Sequence, residues 1–279
     1  MLSRWLLSVL SLAIVAFPGV ALWEMITPTP IPVVQLPASN GYVELKRIGE
    51  ELAAMEPLDV DTASQAVLRK FVEENRQSFN DIQTALAHDS MVPLDYSSED
   101  IDAFSAIHAL GRAYLVKGRV AELDQRCGDA CDDYLAMAKI AEKSARGGLL
   151  IDWLVSSAVL SGGLDGIQRV RTGLLSPQLR KACAILVRLE ANREPIQDVV
   201  ARDRDLEEYT SGWPSRLGFL CSPPWIVYEQ LDDAYRTELR LLECDLALRL
   251  YRQDHGLVPE ALEKLVPDYL QSLPNDPYT

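Results

Sequence analysis

The chain has 279 residues, of which 48% are hydrophobic, 24% charged and 7% aromatic, a composition typical of a globular protein and not of a disordered or fibrous one. Lys and Arg number 27 against 41 Asp and Glu, so the formal net charge is -14, and the basic surface that nucleic-acid binding requires is not indicated. Three His and five Cys supply little material for a His-rich metal centre or a dense set of disulfides. We therefore expect no nucleic-acid partner, no cofactor and no metal site.

The amino terminus contains an uncharged apolar run from Trp5 to Trp23, preceded by Arg4. As a helix with a rise of about 1.5 Å per residue it would measure about 28 Å, close to the ~30 Å hydrocarbon core of a bilayer. The basic residue before the run favours a cytoplasmic amino terminus, and Trp at each end suits the two membrane interfaces. Residues 1–23 are thus predicted to be a single-pass anchor in the cell membrane, with the bulk of the chain outside. The alternative is a signal peptide that is cleaved near the small residues of 19–21, leaving an exported soluble protein.

Residues 24–41 are predicted to form a stiff linker. They contain Pro28, Pro30, Pro32 and Pro37, whose fixed φ angles and missing N–H groups favour extended chain over helix. Such a linker would hold the folded part away from the membrane. Because an acidic surface repels anionic headgroups, we expect membrane contact through the amino-terminal helix only.

Residues 42–210 are predicted to be a helical body, because their apolar residues recur at intervals of three and four, which is the helical period. Gly118, Gly128 and the glycine pairs at 147–148 and 162–163 predict helix ends or turns. We expect seven or eight helices joined by short loops and stacked as antiparallel hairpins. The predicted fold class is therefore all-α, either an irregular α-solenoid or a bundle of helical hairpins.

One part of this body resembles a tetratricopeptide hairpin. Gly111, Tyr114 and Gly118 stand in the first of two predicted helices at about 104–145. In that family a small residue lets the two helices of a repeat approach closely, and an aromatic ring fills the space one turn later. A longer turn between residues 119 and 127 departs from the pattern. The resemblance implies that neighbouring hairpins stack on this one, because a single unit cannot bury its own apolar stripe.

Residues 211–256 are predicted to form a loop rich in Pro and aromatic residues and then a long helix that ends near Gly256. The apolar stripe of this helix is Leu231, Tyr235, Leu239, Leu242, Leu246 and Leu250. The aromatic residues in and beside the loop are Trp213, Phe219, Trp225 and Tyr228. These four are candidate partner-binding residues, and the alternative is that they seal a seam between helices.

The segment 257–279 follows the long helix with Pro259, Leu262 and Leu265 at a spacing that resembles the corresponding segment of the major pseudopilin of type II secretion. It also resembles the ends of many uncharacterised exported bacterial proteins. The resemblance implies a short helix that opens at Pro259 and folds back onto the long helix through Leu262 and Leu265. The amino terminus lacks the prepilin cleavage pattern. No metal ligand is carried over, because the strands that hold calcium in pseudopilins lie beyond the matched residues.

The remaining candidates have both a chemical and a structural interpretation. Cys127 and Cys131, four residues apart, are able to share a metal ion or a disulfide, or to fill space in the core. Asp152 is predicted to cap a helix and not to be a buried functional carboxylate. His255 beside Asp254 resembles half of a catalytic dyad. The alternative, which we favour, is that His255 caps the end of the long helix. The acids in the first turns of one predicted helix are Asp129, Asp132 and Asp133, which we expect to be solvated and favoured by the helix dipole.

No local sequence signature of phosphate-binding loops, zinc proteases or serine hydrolases is present. The leading interpretation is therefore a membrane-anchored, envelope-exposed helical-repeat protein that acts as a protein-interaction scaffold, with an unknown protein partner and no catalytic residues. The alternative is a component of a secretion or pilus-like assembly. A third hypothesis is an exported enzyme that uses the first-turn acids.

Overall fold

A computed structural model describes residues 35–56, 58–94, 101–211 and 225–273. The helices in these ranges are α1 (Gly41–Ala53), α2 (Gln65–Glu74), α3 (Arg76–Ala87), α4 (Ile101–Leu123), α5 (Cys127–Ala145), α6 (Leu150–Val170), α7 (Ser176–Asn192), α8 (Ile196–Ser211) and α9 (Trp225–His255). Single 3₁₀ turns lie at Arg171–Gly173 and Leu262–Leu265. The all-α prediction is confirmed for this part of the chain. The predicted anchor and most of the proline-rich linker lie outside it.

The helices pack as successive hairpins around α4, α5 and α6. Helix α5 packs on both α4 and α6, which also contact each other. Helices α1 and α2 cover α4 on its outer side, and α3 packs on α1. Helix α7 packs on α5, and α9 packs along α7. One continuous apolar core runs through α1, α3 to α7 and α9. Each hairpin therefore buries its apolar stripe against its neighbours, as the sequence pattern predicts.

Polar side chains and one glycine mark the helix ends. The side chain of Asn40 accepts from Tyr42 N at 3.2 Å at the start of α1. Asp152 Oδ2 accepts from Leu149 N at 2.8 Å at the start of α6, so the predicted capping role of Asp152 is confirmed. Gly256 has φ +73° and ends α9 in the left-handed conformation that glycine adopts without steric cost.

The predicted turns at Gly118 and at 162–163 are wrong. Gly118 lies inside α4, which continues to Leu123, and the glycine pair lies inside α6. The predicted long turn at 119–127 is wrong for the same reason. These glycines permit close packing, since a Cβ at Gly118 would lie 2.5 Å from Tyr134 Cε1. Glycine in a helix interior therefore marks a contact between helices here, and not a helix end.

Helix α6 and the 3₁₀ turn after it form an apolar stretch, Leu150–Gly173, that is long enough to cross a membrane. Of its most apolar window, 56% is buried inside the protein. The helix packs against α4, α5, α8 and α9. We therefore assign α6 to the core, as the sequence predicts for residues 149–160, although the helix is longer than those residues.

The carboxyl-terminal segment folds back onto α9 through Leu265 and Leu270, which are buried with Ala247 of α9. Tyr269 donates from its hydroxyl to Asp254 Oδ2 at 3.1 Å. The predicted short helix from Pro259 is wrong, because only Leu262–Leu265 forms a single 3₁₀ turn. Leu262 is 46% exposed, so its predicted inward orientation is also wrong. A turn this short places only one of the two leucines against α9.

Candidate binding groove

The four aromatic residues predicted to bind a partner are not seen together as one surface. Trp213 and Phe219 lie outside the described residues, and Trp225 is the first residue of α9. Tyr228 is half-buried, and its ring lies edge-on to Trp153 of α6 with centroids 6.5 Å apart. Tyr228 therefore seals an internal seam between α9 and α6, which is the alternative that the sequence left open for these residues.

A groove of about 590 Å³ lies along α4, between the end of α1, α2 and α6. Its apolar walls include Leu52, Met55, Phe71, Phe104, Val116 and Leu154. The rim residues Ala53, Ser105 and Ala158 are exposed, and Met55 is 43% exposed. The groove is therefore an apolar surface that is open to solvent along its length.

Two close contacts between helices bound this groove. A Cβ at Gly49 of α1 would lie 2.4 Å from the carbonyl oxygen of Ala106 in α4. A Cβ at Gly111 of α4 would lie 2.8 Å from Val159 Cγ2 in α6. Both contacts need glycine, because backbone or a branched side chain occupies the space. The two glycines thus hold α1 and α6 on either side of α4, and the groove lies between them.

His108 and Arg112 bring polar groups to this apolar surface. They lie one turn apart on α4, and Arg112 Nη2 is 3.1 Å from His108 Nδ1. Burial, and secondarily the charge of Arg112, lower the pKa of His108. The neutral imidazole is therefore favoured, with Nδ1 accepting from the guanidinium.

The half-buried Arg112 forms no ion pair with a carboxylate among the described residues. Arg119, about two turns further along α4, does form an ion pair, with Glu122 at 2.5 Å. An arginine without a carboxylate partner in a half-buried apolar setting presents N–H donors to an external acceptor. The groove therefore combines apolar walls with the charge of Arg112, which forms no ion pair with Glu56, the exposed carboxylate that also lines the groove.

The sequence interpretation missed His108 and Arg112. A signal was available, since two basic residues at i and i+4 follow Phe104 on the apolar side of a predicted helix. Nothing in the sequence shows that α1 and α6 stop short of covering that part of α4. The groove depends on segments that lie about fifty residues apart in the chain.

The acids in the first two turns of α5 each pair with a different cation. Asp129 accepts from Arg126 at 2.5 Å and Asp132 from Lys181 at 2.7 Å. The expected solvation is wrong for Asp133, which is 7% exposed and accepts from Lys117 Nζ of α4 at 2.5 Å. These pairings point in different directions, so the three carboxylates do not converge on one site.

Neither the cysteine pair nor the histidine at the end of α9 forms a site. Cys127 and Cys131 are free thiols, and burial raises the pKa of Cys131 to about 12, which keeps that thiol protonated. In the described part of the chain no three His, Cys, Asp or Glu side chains are grouped to hold a metal ion. His255 contacts Tyr269 Oη at 3.0 Å through Nε2, so it helps to hold the carboxyl-terminal segment.

No protein family, curated protein or solved structure matches this chain. The resemblance to a tetratricopeptide hairpin therefore depends on Gly111, Tyr114 and Gly118 alone. The resemblance to the pseudopilin segment depends on the spacing of Pro259, Leu262 and Leu265.

Proposed function

We propose that this protein is a membrane-anchored helical scaffold, exposed outside the membrane, that binds a segment of a partner protein in the groove along α4. The observation that carries the proposal is the pairing of open apolar walls with Arg112, which has no carboxylate partner in the described part of the chain. A volume of about 590 Å³ accommodates several side chains. The apolar run at residues 5–23 supports the anchored location.

The groove fits an amphipathic segment that carries apolar side chains and one Asp or Glu. Apolar residues at helical spacing would bury against Phe71, Phe104 and Leu154. A carboxylate on the same segment would accept from Arg112, and a half-buried ion pair of this kind is stronger than a fully exposed one. The open rim favours a protein segment over a small molecule, because small-molecule sites normally enclose most of the ligand surface.

The test compares variants of the full-length chain by in-cell crosslinking in the native host. Ala158→Glu adds an acidic side chain at the exposed rim of the groove, and Arg112→Gln removes the charge. Ala184→Glu makes the matched change at an exposed alanine of α7 outside the groove. We expect Ala184→Glu to retain the wild-type partner and the two groove variants to lose it. Retention of the partner by both groove variants, or co-purification of a small lipid-like acid in place of a protein, would contradict the proposal.

A second candidate function, part of a secretion or pilus-like assembly, is favoured by an exposed apolar patch in the carboxyl-terminal segment. Leu257, Val258 and Leu262 are 58%, 57% and 46% exposed, and they lie in the residues that resemble a pseudopilin. Replacing Leu257 and Val258 by Ser should remove assembly contacts without changing thermal stability, since both side chains are exposed. Unchanged crosslinking of this double variant would exclude the patch as an assembly surface.

A further inference from the structure

A second cavity, separate from the groove, is lined by residues of α5, α6, α7, α8 and α9 and of the turns beside them. Its volume is about 60 Å³, and a water molecule needs only about 10–15 Å³ measured in this way. Apolar side chains of Leu160, Leu189 and Leu239 form part of its wall. The space therefore accommodates a few water molecules or one small organic anion.

Two buried hydrogen-bond donors among the residues that line this cavity have no acceptor in the described part of the chain. They are Trp153 Nε1 and Arg193 Nη2. Trp153 is only 3% exposed, so water at the protein surface does not satisfy its indole N–H. Both groups donate and neither accepts. An occupant with acceptor atoms would satisfy both donors, and buried donors without partners are destabilising.

The charges around these donors favour an anion over water. Arg193 Nε donates to Asp232 Oδ1 at 2.7 Å, and Arg236 Nε donates to Asp232 Oδ2 at 2.7 Å. Two guanidinium groups thus share one buried carboxylate, so the three side chains together carry a net charge of +1. Two further carboxylates line the cavity, but Glu194 is neutralised by Arg202 at 2.5 Å and 2.7 Å.

The other carboxylate, Glu142, accepts from Asn192 Nδ2 at 3.0 Å and interacts with the charge of Lys139. It is therefore also compensated by its neighbours. An occupant would therefore meet the excess positive charge at Arg193 and that of Arg146, an exposed residue that also lines the cavity.

Arg193 is held in place by aromatic rings. Its guanidinium carbon lies 5.7 Å from the Trp153 ring centroid and 5.9 Å from the Tyr235 ring centroid, within the range of cation–π contacts. These contacts restrict the position of Nη2, which has no acceptor among the described residues. Such pre-organised donors bind an acceptor without first reorganising.

We propose that this cavity binds a small monocarboxylate of the size of acetate. One carboxylate oxygen accepts from Trp153 Nε1 and the other from Arg193 Nη2, and the methyl group lies against the leucine side chains of the wall. This site shares no residue with the groove along α4. The proposal therefore does not depend on whether the groove binds a partner.

The test titrates sodium acetate into the full-length protein, purified without carboxylate buffers, and follows binding by calorimetry, with sodium chloride at equal ionic strength as the reference. Trp153→Phe keeps an aromatic ring and removes the N–H. Arg193→Lys keeps a positive charge beside Asp232 and removes Nη2. We expect saturable acetate binding that each variant weakens by about ten-fold or more, the effect of losing one charge-assisted hydrogen bond.

Arg188→Lys makes the matched change at an exposed arginine of α7 outside the cavity, and it should bind acetate as the wild type does. Circular dichroism checks that each variant is folded, and Arg193→Lys decides the question if Trp153→Phe does not fold. Binding that is absent, or equal in the wild type and Arg193→Lys, would overturn the proposal. A crystal structure from acetate solution that shows only water or one of the protein's own side chains in the cavity would also overturn it.

Discussion

Gly166→Ala should destabilise the protein by crowding the ring of Tyr134. A Cβ at Gly166 of α6 would lie 2.3 Å from Tyr134 Cγ, well inside van der Waals contact. The ring has little room to move, because Gly118 of α4 also lies against it, and a Cβ there would be 2.5 Å from Tyr134 Cε1. The hydroxyl is also held, donating to Glu122 Oε1 at 2.5 Å. Three helices therefore fix this ring, and an added methyl group has no space.

The expected size follows from two opposing effects. Overpacking a core costs about 1–3 kcal/mol, and we take about 3 kcal/mol because the ring is held by backbone of two helices. Alanine in a helix interior is more favourable than glycine by about 1 kcal/mol. The free energy of unfolding of Gly166→Ala should thus fall by about 2 kcal/mol, the difference of these two effects.

Gly162→Ala is the matched control in the same helix. At Gly162 the nearest atom to an added Cβ is Met137 Cε at 3.2 Å, the flexible end of a side chain that moves aside easily. This variant should keep the helix-propensity gain and be as stable as the wild type or more stable by up to about 1 kcal/mol. Chemical denaturation followed by circular dichroism compares the two variants.

Two results would refute the reasoning about Tyr134. The first is equal stability of Gly166→Ala and Gly162→Ala. The second comes from a Tyr134→Ala background, where the ring is absent and Gly166→Ala should no longer destabilise the protein. A penalty that persists there would mean that the ring is not the cause.

Three further predictions concern the core and its buried charges. Burial, and then the charge of a neighbouring glutamate, raise the pKa of Glu243 to about 7 from an ordinary 4.5. Between pH 4.5 and about 7 the folded state therefore binds more protons than the unfolded state. The free energy of unfolding should fall as pH rises across this range and level off above it. Glu243→Gln should flatten that pH dependence in denaturation curves, and an unchanged slope would contradict it. Leu246 of α9 is 0% exposed and Leu241 of the same helix is 66% exposed. Leu246→Ala should therefore lower the free energy of unfolding by about 2–5 kcal/mol, whereas Leu241→Ala should change it by less than about 0.5 kcal/mol. Similar losses in the two variants would mean that α9 packs through another face. Asp133→Asn should cost about 2 kcal/mol by removing the charged partner of Lys117, and the loss should vanish in a Lys117→Met background.

The sequence predicts the helices well because each one carries its own signals. The stripe of α9 and its end at Gly256 follow from residues within or next to one helix, and the cap at Asp152 follows from the four consecutive residues 149–152. Glycine was harder to interpret, because the same residue ends helices and lets them pack closely. Only the position of Tyr134 on the next helix shows which role Gly118 has.

The functional features depend on contacts between helices, and so they could not be predicted from local patterns. Lys117 and Asp133 form an ion pair across a hairpin, and neither residue is unusual in its own helix. The groove forms because the end of α1, α2 and α6 leave part of α4 uncovered. Trp153 and Arg193, whose Nε1 and Nη2 have no acceptor in the described ranges, come to line one cavity only when α6 and the turn before α8 pack together.

Site-specific photo-crosslinking tests the central claim, that the groove along α4 binds a partner protein, most directly. A photoreactive residue would replace Ser105 at the exposed rim of the groove in the full-length chain, and Ala184 of α7 would serve as the reference position. Mass spectrometry would then map the crosslinked peptides. We predict that position 105, but not position 184, crosslinks to one partner segment that carries apolar residues and an Asp or Glu. Equal crosslinking from both positions, or crosslinks from position 105 to lipid alone, would contradict the account.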